Sequence, residues 1–301
     1  MQLRRGITVC FACCAAIFLP GSLIFGFPGV MRQHWLEIYQ VGQADIGRIL
    51  FFVLAAVGIF MFFIGRLQAR FGPSRVMALG AILGGAGTLW VGYAPGMSWI
   101  YVWAFLVGSA SAFVYLPTLT VVQVWYPRHR GLVSGLVSMS FGIAGAVMAP
   151  LYHSLAYHFD YRTMPTYVGI AVMILGLLAA ALTRLPQSEP QPGKGPDALT
   201  DPPLARLTVS QSLRTRSFWL LWTSFAFVGA AGISMVVLAT HFGTARGLTA
   251  TEAVLILTAF NLTNGISRLV SGYLSDITGR KQTMAVAFLL AGLSYWAMPH
   301  V

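Results

Sequence analysis

The chain has 301 residues, 57% of them hydrophobic and only 9% charged, with a mean hydropathy of +0.73. Soluble domains carry about a quarter charged residues, so a water-soluble fold of this length could not cover its surface; the composition specifies an all-α membrane protein. The net charge of +11 is no nucleic-acid footprint, because the bases sit in short clusters between apolar stretches, with no interleaved aromatics.

A spanning helix needs about 20 mostly apolar residues. The sequence predicts such spans over 6–28, 44–64, 76–94, 98–122, 132–152, 164–183, 217–240, 251–275 and 282–299. The first follows Arg4 and Arg5 but has a long apolar run and a second span soon after, so it reads as a retained helix, not a signal peptide. Its Cys10, Cys13 and Cys14 are an odd number in lipid and form no disulfide framework. His34, His153, His158 and His241 share no ligand spacing, and no metal or cofactor is expected.

The Lys and Arg residues are strongly biased between alternate loops. Arg4, Arg5, Arg66, Arg70, Arg75, Arg128, Arg130, Arg184, Lys194, Arg206, Arg214, Arg216, Arg280 and Lys281 fall on one side, and only Arg32, Arg48, Arg162 and Arg246 on the other. That bias sets the N-terminus on the cytoplasmic side of a multi-pass protein; the membrane expected is a bacterial-type inner (plasma) membrane. Arg128 and Arg130 read as loop charges that set topology.

Between the sixth and seventh spans, residues 184–216 contain Pro186, Pro190, Pro192, Pro196, Pro202 and Pro203. Such a polar, proline-rich stretch reads as a cytoplasmic linker. It divides the chain into a six-helix bundle over 1–183 and a partial bundle, spans seven to nine, over 217–301. The stretch from Leu204 to Arg216 is expected along the inner membrane surface.

The loop after span two runs from Gly65 through Arg70 and Gly72 to Arg75; the loop after span eight runs from Gly272 through Asp276 and Gly279 to Arg280 and Lys281. Gly65, Leu67 and Gly72 recur at the same spacing as Gly272, Leu274 and Gly279, after the second span of each half, as in transporters built from repeats. This loop resembles the G-x-x-x-D-R-x-G-R-R/K signature of the major facilitator superfamily. The second copy matches with Gly272, Asp276, Gly279, Arg280 and Lys281. The first keeps Gly65, Arg70 and Gly72 but has Ala69 for the acid and Pro73-Ser74 for the basic pair. In that family the acid is implicated in a charge relay holding one conformation, so the resemblance implies unequal latches.

Residues 108–150 include Tyr115-Leu-Pro117, Trp125-Tyr-Pro127, Arg130-Gly131, Ser134-Gly135, Gly142, Gly145-Ala146 and Pro150. This resembles the Y-x-P…W-F-P-x-x-R-G…G-x-G-x-G-A…P pattern of the oxalate/formate antiporter group, near the monocarboxylate porters. Glycines there let helices approach closely in lipid. The resemblance implies twelve spans in two bundles of six, of which this chain supplies about nine.

Arg268 lies inside a span, eight residues from Asp276 and roughly 12 Å deep at 1.5 Å per residue. A central arginine costs at least about 2.5–3.5 kcal/mol. Its bland readings are a carbonyl-capping or interhelical arginine, or one that snorkels inward. Its functional reading is a cation awaiting an anionic ligand on a water-filled path, because intramembrane charge marks substrate pathways. Asn261, Asn264 and Arg268 are spaced i, i+3, i+7 on one helical face. The antiporter group carries an arginine here, assigned to substrate carboxylate binding. Proton-linked porters commonly have Asp where this chain has Asn264, which favours anion exchange over symport.

On span four, Ser111, Tyr115 and Thr118 form a second polar stripe. Tyr115 matches the Y of Y-x-P and is either a cavity-lining aromatic or a hydroxyl satisfied between helices. The expected function is exchange of small organic anions, mono- or dicarboxylates such as oxalate and formate, by alternating access. The alternatives are a truncated non-transporting remnant or membrane sensor of the same fold, and a proton-coupled monocarboxylate symporter. No paired acids or activated nucleophile lie in the spans, so no enzyme is read. The partners expected are a small carboxylate anion and the lipid bilayer, with no nucleic acid; the oligomeric state stays open.

Overall fold

The computed structural model describes residues 2–186 and 209–298; the side chains of 235–242, 250–258 and Asn261, among others, lie outside that set. The chain divides into two compact units, Met1–Pro186 with Asn261–Val301, and Gln187–Phe260. The described residues form helices α1 (Gln2–Phe25), α2 (Phe27–Tyr39), α3 (Gln43–Phe71), α4 (Pro73–Val91), α5 (Met97–Trp125) and α6 (Arg130–His158). They continue as α7 (Thr163–Leu182), α8 (Val209–Leu213), α9 (Arg216–Ala245), α10 (Ala250–Thr278) and α11 (Arg280–Ala297).

Six segments among the described residues are long and apolar enough to cross a membrane: Arg4–Tyr39, Gln43–Phe71, Pro73–Val91, Met97–Trp125, Arg130–His158 and Thr163–Leu182. They coincide with the first six expected spans. The first runs well past the expected end at residue 28. At Gly26 the N–H still reaches the Ser22 carbonyl at 2.9 Å, so the chain passes from α1 into α2 with little break. Pro28 sits in the first turn of α2, where a missing N–H costs nothing.

Aromatic packing holds α2 in place. Phe27 and Trp35 are buried against Trp103 of α5, with ring centroids 5.4 and 5.7 Å away, and Phe27 meets the ring of Tyr152 edge-on at 5.7 Å. Two of the polar tips inside this cluster are paired, whereas the Trp35 indole N–H is buried without a hydrogen-bond partner among the described residues. Trp103 Nε1 donates to Thr88 Oγ1 at 3.1 Å, and the Tyr152 and Ser22 hydroxyls lie 2.7 Å apart between α6 and α1. Midway along α1, the Cys13 thiol lies 3.9 Å from the Thr183 hydroxyl.

The repeated loops have one backbone form. Gly72, between α3 and α4, has φ 81° and ψ 158°; Gly279, between α10 and α11, has φ 91° and ψ 150°. A side chain at either position would be strained. The repeated glycine is therefore required by a turn that the two loops share.

Candidate functional site

Arg268 and Asn264 project one turn apart from α10. Arg268 is half-buried, and its Nε–H donates to Asn264 Oδ1 at 3.2 Å. Among the described residues no carboxylate comes within ion-pair distance of Arg268; the ion pair found among them joins Arg48 to Asp45, both on α3, at 2.7 Å. The side chain of Asn261, the third member of the expected face, lies outside the described residues.

The N-terminal half of α6 supplies the surface opposite α10. A Cβ added at Gly142 would stand 3.4 Å from Arg268 Nε and 3.7 Å from its Cδ. One added at Gly135 would stand 2.5 Å from the Arg268 carbonyl oxygen, and Gly131 and Gly272 face each other's carbonyls still more closely. These glycines admit a second helix at backbone contact, as small residues do between helices in lipid.

Tyr115 of α5 borders the same stretch of α6. Its hydroxyl lies 3.0 Å from the Ser138 hydroxyl, and its ring packs edge-on against Phe141 at 5.5 Å. Phe141 in turn meets Phe25 of α1 at 5.3 Å. Ser138, Phe141 and Gly142 thus link the Tyr115 and Arg268 surroundings, and residue-type reasoning did not single out the first two. The signal was present as Gly131, Gly135, Ser138 and Gly142, small residues recurring every three or four positions. The expected stripe on α5 does not hold together: Ser111 is buried, and the Thr118 hydroxyl turns back to donate to the Tyr115 carbonyl at 2.8 Å.

The loop motif does something its resemblance did not suggest. Asp276 Oδ1 accepts the Gly131 N–H at 2.7 Å and Oδ2 accepts the Leu132 N–H at 2.8 Å. These are among the first N–H groups of α6, which have no partner inside the helix. The carboxylate therefore faces the positive end of a helix dipole. Among the described residues it pairs with no basic side chain, and its partners are these backbone N–H groups. Arg280 and Lys281 are exposed at the start of α11. In the first copy Arg70 lies over the Phe71 ring, 5.2 Å from its centroid, and a Cβ on Gly65 would meet nothing within 4 Å.

The Major Facilitator Superfamily model matches residues 8–301, and the chain belongs to that superfamily. With its long apolar helices it is an all-α, multi-pass integral membrane protein. It is 30% identical to the oxalate:formate antiporter of Oxalobacter formigenes over 224 residues, which are 74% of this chain and 52% of the relative. It is 25% identical to monocarboxylate transporter 13 of Bos taurus over 270 residues, 86% of this chain and 60% of the relative. It is 28% identical to human monocarboxylate transporter 11 over 238 residues, 77% and 49% of the two chains. The chain thus spans about half to three-fifths of the length of these relatives. All three are transporters by name; none is named as an enzyme.

Proposed function

We propose that this chain belongs to a secondary transporter that exchanges small organic anions, mono- or dicarboxylates of the size of oxalate and formate, by alternating access. The observation that carries the reading is Arg268: a half-buried arginine within α10 that has an orienting amide but no carboxylate partner among the described residues. A guanidinium so placed costs about 2.5–3.5 kcal/mol in lipid, and a bound carboxylate offsets that cost through two parallel charge-assisted hydrogen bonds. The names of the relatives, which include oxalate, formate and monocarboxylates, support the same class of ligand.

In this reading the six-helix bundle over 1–183 rocks against the helices that follow the 184–216 linker. The N-terminus lies in the cytoplasm of a bacterial-type inner membrane, given the bias of Lys and Arg. Asp276 then lies at the inner surface and latches the inner ends of α6 and α10 together while the outer path is open. Tyr115 and Phe141 give an apolar wall beside the charge, which keeps water few and strengthens the ion contact. Asn264 is neutral at the position beside the guanidinium, so no proton need travel with the anion.

The test is counterflow of labelled oxalate, formate and lactate in proteoliposomes carrying the full product of the gene. Exchange of at least one anion is expected, with a loss of more than tenfold in Arg268→Ala. Unchanged exchange by that variant sinks the site; no exchange of any of the three by correctly inserted protein sinks the substrate class.

A further inference from the structure

The surroundings of Arg268 leave only part of its guanidinium free for a ligand. A guanidinium presents five N–H donors in a fixed planar fork. A carboxylate can dock side-on, on Nε and one Nη, or end-on, on the two terminal Nη groups. Here Nε–H already donates to Asn264 Oδ1 at 3.2 Å. The same nitrogen faces α6, where the hydrogen of Gly142 occupies the direction in which a Cβ would stand 3.4 Å away. The donor of the side-on edge is thus taken by Asn264, and Gly142 of α6 lies beside the same nitrogen.

We propose that the transported anion is grasped end-on, by Nη1 and Nη2 of Arg268, and that Asn264 and Gly142 are the positioning residues that impose this edge. The inference rests on the reading of Arg268 as the anion contact. It changes the part given to Asn264, which holds the guanidinium and leaves the anion untouched. It also gives Gly142 a role beyond helix packing: a side chain there would stand in direct contact with the guanidinium, its Cβ 3.4 Å from Nε. The ligand class that follows is a carboxylate with both oxygens free and coplanar, approaching along the long axis of the arginine side chain.

Two measurements on the full product of the gene test this. The first is 15N NMR of arginine-labelled protein in lipid nanodiscs, with the Arg268 signals assigned by their absence in Arg268→Lys. Added oxalate should shift and slow the Nη–H signals and leave Nε–H in place. A larger change at Nε–H than at Nη–H overturns the proposal. The second is exchange kinetics: Asn264→Ala and Gly142→Ala should each raise the oxalate KM about five- to tenfold and change the maximal rate less than twofold. A lost structural role would instead lower the amount of active protein and leave KM alone, which also overturns the proposal. If Arg268→Ala exchanges normally, the Arg268 reading itself fails. If Arg268→Ala is inactive while Asn264→Ala and Gly142→Ala keep the parent KM, only the end-on proposal fails.

Discussion

Asp276 and Gly131 meet across two helices: Oδ1 of the acid accepts the glycine N–H at 2.7 Å, and the other carboxylate oxygen takes the next N–H, of Leu132, at 2.8 Å. One charged group thereby satisfies two N–H donors and opposes the helix dipole. Asp276→Asn keeps one acceptor and turns an NH2 group toward the other N–H. The change should weaken the contact by about 1–2 kcal/mol. Spin labels at positions 128 and 280, in a background with the three cysteines replaced, read the result as a distance distribution. A shift toward longer distances is expected. An unchanged distribution would mean that this contact does not hold the start of α6 and the end of α10 together.

The glycines beside that contact give a prediction with its own control. Alanine in a helix is intrinsically better than glycine by about 1 kcal/mol. At Gly135 the added methyl would stand 2.5 Å from the Arg268 carbonyl oxygen, which is backbone and cannot step aside. At Gly292 on α11 an added Cβ meets nothing within 4 Å. Gly135→Ala should therefore lower the thermal midpoint of the purified protein, while Gly292→Ala leaves it unchanged or raises it. Equal behaviour of the two variants would contradict the close approach of α10 to α6.

How far the sequence reveals this structure depends on the range of the interactions involved. The first six spans were legible because lipid demands apolar length, and the repeated turn was legible because Gly72 and Gly279 both need positive φ. The extension through α2 was obscured by Arg32, Gln33, His34 and Glu37. Its true signal is Phe27, Met31, Trp35 and Tyr39, one residue per turn toward the core. Around Arg268, the Asn264 contact follows from i, i+4 spacing. Gly142 does not, because its neighbour comes from a helix more than a hundred residues away. The acid of the second loop, Asp276, bonds to backbone N–H groups of α6, a partner that no residue pattern advertises.

Tyr152 and Ser22 supply a third prediction. Their hydroxyls lie 2.7 Å apart in a buried setting, and Ser22 Oγ also donates to the Leu19 carbonyl at 2.7 Å. Since Ser22 donates there, the Tyr152 hydroxyl is the donor between the two. Tyr152→Phe removes one interhelical bond and leaves Ser22 partly satisfied. Such bonds between membrane helices are worth about 0.6–1.7 kcal/mol, so a small drop in thermal midpoint is expected. Ser22→Ala removes the same bond, and the double variant should lose little more than the worse single one. Fully additive losses would show that the two residues act independently.

The last prediction concerns Asp160, in the turn before α7. The Thr163 hydroxyl bonds to its carboxylate, and the backbone N–H groups of Arg162 and Thr163 add to this, holding its pKa below the usual carboxylate value. Its carbonyl meanwhile accepts the Met164 N–H at 3.1 Å, which fixes the start of the helix. A carboxylate with a lowered folded-state pKa binds its proton less readily when folded than when unfolded. Its stabilisation is therefore fully present above the unfolded value of about 3.9 and is lost as pH falls through the folded value. Asp160→Asn should lower the thermal midpoint at pH 7, with the gap from the parent narrowing as pH is taken from 5 to 3. A gap that stays constant over that interval would show that the charge of Asp160 is not what anchors the first turn of α7.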